Sequence, residues 1–137
     1  MNEKNKAFLE RVSLFISQRF TFVCPEVAHF IASISALESD FGQSAISQDN
    51  TNFFGMKFPK VRLSTAIGEN RGHSVYPSFG ASVCDFFYWL QYFGFSQKHF
   101  RDLKVFKSKF FRSPYNTHLS YQFRVESIYN QYYGKNE

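Results

Sequence analysis

From Pro25 onward the apolar residues Val27, Phe30, Ile31, Ile34 and Leu37 recur at helical spacing, and the stripe they trace ends on a carboxylate, Glu38. This pattern restricts the fold more tightly than any other stretch, because it requires a helix with one face buried. Pro25 stands where a helix begins without losing a needed N–H, and Gly42 follows soon after, so the spacing predicts a helix ending near Glu38–Phe41. Glu38 lies 11, 7 and 4 residues beyond Val27, Ile31 and Ile34, which sets it on their stripe. A carboxylate there is costly to bury unless it faces a cleft or keeps its proton. Poorly solvating aromatic surroundings and the negative end of the helix dipole both raise its pKa. A raised pKa is what a general acid for glycoside cleavage needs. Periodicity alone describes a solvated helix-end Glu equally well, and that plainer reading is the commoner one.

The rest of the chain reads mainly as helices. Phe8, Val12, Phe15 and Ile16 predict one over about 4–19. Residues 42–58 read as a polar loop closing on the apolar patch Phe53-Phe54-Gly55-Met56. Residues 59–77, with Pro59, Gly68, Gly72 and Pro77, read as a small β-hairpin or irregular lobe. Ser78 is the expected N-cap of a third helix that stops near Gly94. A fourth helix is expected over about 97–111, and Pro114 separates it from a last helix over about 118–133. The expected class is α+β, predominantly α-helical, in one domain over 1–137.

Composition adds bounds. With 44% apolar and 20% charged residues the 137-residue chain is globular and large enough for one core. Phe, at 19 residues, supplies most of the large core side chains, and some of the 8 Tyr are expected at a surface that meets sugars or rings. The net charge of +5 favours anionic partners, either a wall polymer or nucleic acid. Cys24 and Cys84 are far apart without a CxxC spacing, so no metal site is expected; they read as buried small hydrophobes, with a single disulfide as the alternative. The opening MNEKNKAFLERVSLF does not read as a standard secretory signal, and no apolar run is long enough to span a bilayer.

The segment Glu38-Ser39-Asp40-Phe41-Gly42-Gln43-Ser44, followed by Asn52-Phe53-Phe54-Gly55-Met56-Lys57, resembles the signature of the glucosaminidase family of bacterial peptidoglycan hydrolases. Val75-Tyr76-Pro77-Ser78-Phe79-Gly80-Ala81-Ser82 looks like the family's approach to its next helix, and Tyr115 resembles a Tyr that the family places at the sugar site. The resemblance covers roughly residues 25–133. It implies a lysozyme-like helical fold with a small β-lobe beside a cleft. It also implies cleavage of the β-1,4 bond between N-acetylglucosamine and N-acetylmuramic acid, without a cofactor, with Glu38 as the acid. Asn52, Phe54, Tyr76 and Tyr115 become the expected substrate-binding residues. Packing explains each of the aromatic rings as readily when it is taken alone.

A two-carboxylate mechanism also needs a partner for Glu38. Glu69, the only acid within 59–77, is the candidate catalytic residue, although its surroundings do not reproduce the family's hairpin motif and a turn-tip Glu is commonly just solvated. Substrate assistance by the N-acetyl group is the other route. The basic run Lys98–Arg112 reads as a solvated face or as a surface attracted to an anionic wall. The expected partner is the glycan strand of peptidoglycan, met by a monomer at the cell wall after release by phage-type lysis or specialised secretion. The competing readings are an inactive wall-binding domain and a basic nucleic-acid-binding domain, the latter supported by charge alone.

Overall fold

The computed structural model describes residues 2–116 and 118–134. The single domain expected over 1–137 includes residues 1, 117 and 135–137, which lie outside them.

Helix α1 (Glu3–Arg19) starts where the Asn2 side chain accepts from the Asn5 N–H at 3.1 Å, and it buries Phe8, Leu9, Val12 and Ile16. Helix α2 (Pro25–Ser39) has Pro at its start, as expected, but it is enclosed on more than one stripe. Its small residues Ala28, Ala32, Ser33, Ser35 and Ala36 are buried alongside Val27, Phe30, Ile31 and Ile34. Those short side chains let other helices pack around it; α1, α6 and α7 all do so. The central helix is therefore the one whose sequence pointed to the fold, with a wider buried surface than the large residues alone define.

The expected loop after α2 contains a short helix, α3 (Ala45–Asn50), begun by Ser44, whose hydroxyl accepts from the Ser47 N–H at 3.2 Å. A helix of six residues, under two turns, is too short for a periodic signal. The lobe contains a two-stranded antiparallel sheet, β1 (Gly68–Asn70) and β2 (His73–Val75), in the register Gly68↔Val75, Glu69↔Ser74 and Asn70↔His73. Arg71 and Gly72 make the connection, both at positive φ (54° and 77°), the geometry that matches the twist of a two-residue hairpin. The lobe docks on α3 through Asn50, whose side-chain amide donates to the Asn70 and His73 carbonyls at 3.0 and 3.3 Å.

Helix α4 (Phe79–Tyr92) begins at Ser78, whose hydroxyl accepts from the Ala81 N–H. The single helix expected over 97–111 is two: α5 (Gln97–Phe100) and α6 (Leu103–Arg112). Asp102 divides them, because its carboxylate accepts from the Val105 N–H at 3.2 Å and opens a new helix there. Helix α7 (Leu119–Tyr133) then packs against α2. Phe30, Phe54, Phe86, Phe106 and Phe110 are fully enclosed, so Phe does form the core. Cys24 and Cys84 are free and only half-buried, which leaves out the disulfide and corrects their expected full burial. Among the described residues no helix is long and apolar enough to cross a membrane.

Candidate active site

The site begins where α2 stops. Asp40, Phe41 and Gly42 all have positive φ (52°, 55° and 78°), which costs a residue with a Cβ about 1–2 kcal/mol. Ser39 offsets that cost. Its hydroxyl accepts from the Gly42 N–H at 2.8 Å and donates to the Ser35 carbonyl at 2.7 Å, while its own carbonyl accepts from Gln43 and Ser44, each at 3.0 Å. The helix end is thereby fixed directly after Glu38. Gly42 is required for space as well, since a Cβ there would meet the Phe8 ring at 2.8 Å.

Opposite Glu38 runs the segment Asn52–Met56, whose backbone is held from every side. The Asn52 side chain accepts from the Phe54 and Met56 N–H groups (3.3 and 3.1 Å) and donates to the Met56 and Ser74 carbonyls (2.9 and 3.0 Å). The Phe53 N–H donates to Ser82 Oγ at 3.0 Å, and Ser35 Oγ donates to the Phe53 carbonyl at 2.6 Å. The Tyr115 hydroxyl donates to the Phe54 carbonyl. Gly55, at φ 64°, completes the segment: a Cβ there would lie 2.7 Å from Glu38 Oε1. Only glycine lets this backbone come so near the carboxyl.

Glu38 and Gly55 belong to the wall of a cleft of about 430 Å³. The segment Met56–Arg62 forms one side, and Trp89, Tyr92 and Phe93 from the end of α4 form another, with Pro114–Asn116 closing it. Glu38 is half-buried, and removal from water raises its pKa; the Tyr121 hydroxyl and the Arg124 charge from α7 oppose that rise without cancelling it. The Tyr121 hydroxyl is buried and makes no hydrogen bond of full geometry, yet it lies close enough to Glu38 to favour the anion. Burial, and then the negative charge of Glu38, push the Tyr115 and Tyr121 phenols up, so both stay protonated donors. The arrangement can deliver a proton into a cleft walled by aromatic rings.

The structure brings three of the expected site residues to this cleft: Glu38, Tyr115 and, through its backbone, Phe54. The Phe54 ring is fully enclosed and stacks on Phe86 with centroids 4.3 Å apart, so it offers no face to a sugar. Asn52 is buried behind the wall with its amide committed to the loop. Tyr76 is also buried; its hydroxyl donates to Asp85, which is bound in turn by Arg62 at 2.7 Å. These side chains shape the cleft from behind. Glu69 is exposed on β1 and is not among the residues that line the cleft, where Glu38 is the one acid among the described residues.

Sequence reasoning passed over Trp89, Tyr92, Phe93, Lys57 and Lys60 as cleft residues, and Tyr121 and Arg124 as neighbours of the acid. A signal existed for the first group: three aromatic residues crowd the last turn of α4, more than one buried face accommodates. Tyr92 and Phe93 are indeed 53% and 36% exposed. Tyr121 had none, because only helix packing sets α7 beside α2.

A helical body with a small β-lobe, and an acid in a cleft at the end of the central helix, is of the lysozyme-like class. The chain belongs to the glucosaminidase family of glycoside hydrolases: the family model described as mannosyl-glycoprotein endo-beta-N-acetylglucosaminidase matches residues 26–134. It is similar to a chain in a type VI secretion system effector–immunity complex from Pseudomonas protegens (TM-score 0.65, 19% identity, 96% of this chain and 95% of that one). It is also similar to the catalytic domain of the autolysin Auto from Listeria monocytogenes (TM-score 0.64, 18% identity, 96% and 86%). These likenesses show the lysozyme-like fold expected from the sequence. Protein bax of Escherichia coli (strain K12) is 40% identical over 53 residues, which are 39% of this chain and 19% of that protein.

Proposed function

We propose that this protein hydrolyses the β-1,4 bond between N-acetylglucosamine and N-acetylmuramic acid in bacterial wall glycan, with Glu38 as general acid. The observation that carries the reading is the half-buried Glu38 carboxyl, its pKa raised by burial, set in an aromatic-walled cleft against the Gly55 backbone. Trp89, Tyr92 and Phe93 supply rings on which sugar faces stack. Action at the cell wall follows from that substrate.

Glu69 stands away from the cleft lining, which favours substrate assistance over a second carboxylate. The N-acetyl carbonyl oxygen attacks the anomeric carbon as the glycosidic bond breaks, and Glu38 gives its proton to the departing sugar oxygen. An oxazolinium ion forms. Water then attacks the anomeric carbon, returns one proton to Glu38 and restores the N-acetyl group.

Mass spectrometry of fragments released from purified peptidoglycan tests both parts. Glu38→Gln is expected to abolish release and Glu69→Gln to leave it nearly unchanged. Wild-type release by Glu38→Gln would remove the acid role, and loss of release in Glu69→Gln would restore the two-carboxylate scheme. The same lack of a second cleft carboxylate favours a non-catalytic glycan-binding domain as the second reading; wild-type protein that binds walls but releases no fragments would select it.

A further inference from the structure

The charges around the cleft are unevenly matched. Among the described residues Lys57, Lys60 and Arg62 line it, against one acid, Glu38. Arg62 is already neutralised: its guanidinium binds Asp85 through two nitrogens at 2.7 and 3.2 Å, and its side chain is only 6% exposed. Lys57 and Lys60 are exposed, and among the described residues neither forms a salt bridge. Among the described residues the cleft lining therefore holds two ammonium groups without a salt-bridge partner against one carboxyl. An uncharged chitin strand or mannose-rich glycan offers only hydroxyl and amide groups to this edge. A muramoyl glycan offers carboxylates as well, on the lactyl ether when it is bare or on the peptide stem when it is substituted.

We infer that Lys57 and Lys60 form a carboxylate subsite on the Met56–Arg62 side of the cleft, so that the protein selects anionic muramoyl glycans over neutral N-acetylglucosamine polymers. The buried Arg62–Asp85 pair gives this edge its firmness, because it ties an otherwise irregular segment to α4. Two loosely held lysines act as point charges that tolerate carboxylates at several positions. Such contacts exist equally in the ground state and the transition state, so they lower KM and leave kcat alone.

The inference rests on the wall-hydrolase reading, and the two are separable by measuring wall retention and fragment release on the same substrates. The substrates are intact peptidoglycan, peptide-stripped glycan with free lactyl carboxylates, and peptidoglycan whose carboxylates have been amidated chemically. Wild-type protein is expected to be retained on the first two more strongly than on the amidated wall, by about 3- to 30-fold in apparent affinity. That preference should shrink as salt rises. The double variant Lys57→Gln/Lys60→Gln should lose the preference, and Lys57→Arg/Lys60→Arg should restore it. Preference only for the peptide-bearing wall assigns the subsite to the stem; preference shared by the stripped glycan assigns it to the lactyl group. Equal retention on native and amidated walls, or a preference that survives in the Gln variant with an unchanged unfolding temperature, overturns the inference. Absence of fragment release with the preference intact refutes hydrolysis alone.

Discussion

Replacing Gly55 by Ala places a methyl carbon 2.7 Å from Glu38 Oε1, closer than real side-chain carbons approach an oxygen, so one of the two must move. The carboxyl is the free end of a side chain and yields more readily than a backbone held by Asn52, Ser35, Ser82 and Tyr115. The consequence for stability is then mainly the left-handed backbone at φ 64°, which costs about 1–2 kcal/mol with a Cβ present and lowers Tm by roughly 3–8 °C. The consequence for catalysis is larger. In the proposed mechanism a displacement of several tenths of an ångström moves the Glu38 carboxyl off its line to the glycosidic oxygen, and misplacement approaching 1 Å is worth on the order of 100-fold in rate. Gly72 supplies the control. It sits at φ 77° in the hairpin turn with nothing within 4 Å of the added carbon. Gly72→Ala should therefore lose similar stability and almost no activity. Calorimetry and reducing-end release from peptidoglycan measure both quantities for both variants. If Gly55→Ala turns over within twofold of wild type, or if the two variants lose activity equally, the close approach does not position Glu38.

Three further outcomes follow from the same geometry. Because burial raises the folded pKa of Glu38 above its ordinary 4.5, the group's contribution to stability is complete below that value and is lost as pH rises through the folded one. Glu38→Gln should accordingly be inactive but more stable than wild type at neutral pH, with the gain vanishing in acid, as urea titrations across pH would show. Tyr121→Phe removes a group that favours the Glu38 anion, so the alkaline limb of the pH–rate profile should move upward; a downward shift contradicts the contact. Asp85→Ala strands the Arg62 guanidinium and the Tyr76 hydroxyl in a dry site, and chemical denaturation should record a loss of about 3–5 kcal/mol.

Helix α2 shows how far the sequence reaches. A 3.6-residue period, Pro25 and Gly42 are local signals, so its start, its end and the position of Glu38 on its buried side were all legible. The Ser78 cap, the hairpin lobe and the Phe core were legible for the same reason. Residues 97–112 show the first limit: α5 and α6 share one apolar spacing, and only the Asp102 cap divides them.

Roles inside the site were less legible than its location. Asn52, Phe54 and Tyr76 stand near the acid in the chain's motifs, yet a motif does not say which end of a residue faces the ligand. The Asn52 and Tyr76 side chains turn inward to hold the Phe53–Met56 backbone and the Arg62–Asp85 pair, because buried polar groups in a loop require partners, and the Phe54 ring turns inward to stack on Phe86. The sequence by itself determined the helical class and the place of Glu38 at the end of the central helix, closed by Gly42. Tertiary packing alone decided the rest: Tyr121 and Arg124 reach Glu38 because α7 lies across α2, and Glu69 misses the cleft because its hairpin docks on α3. Those are contacts between elements distant along the chain, where no local period carries information.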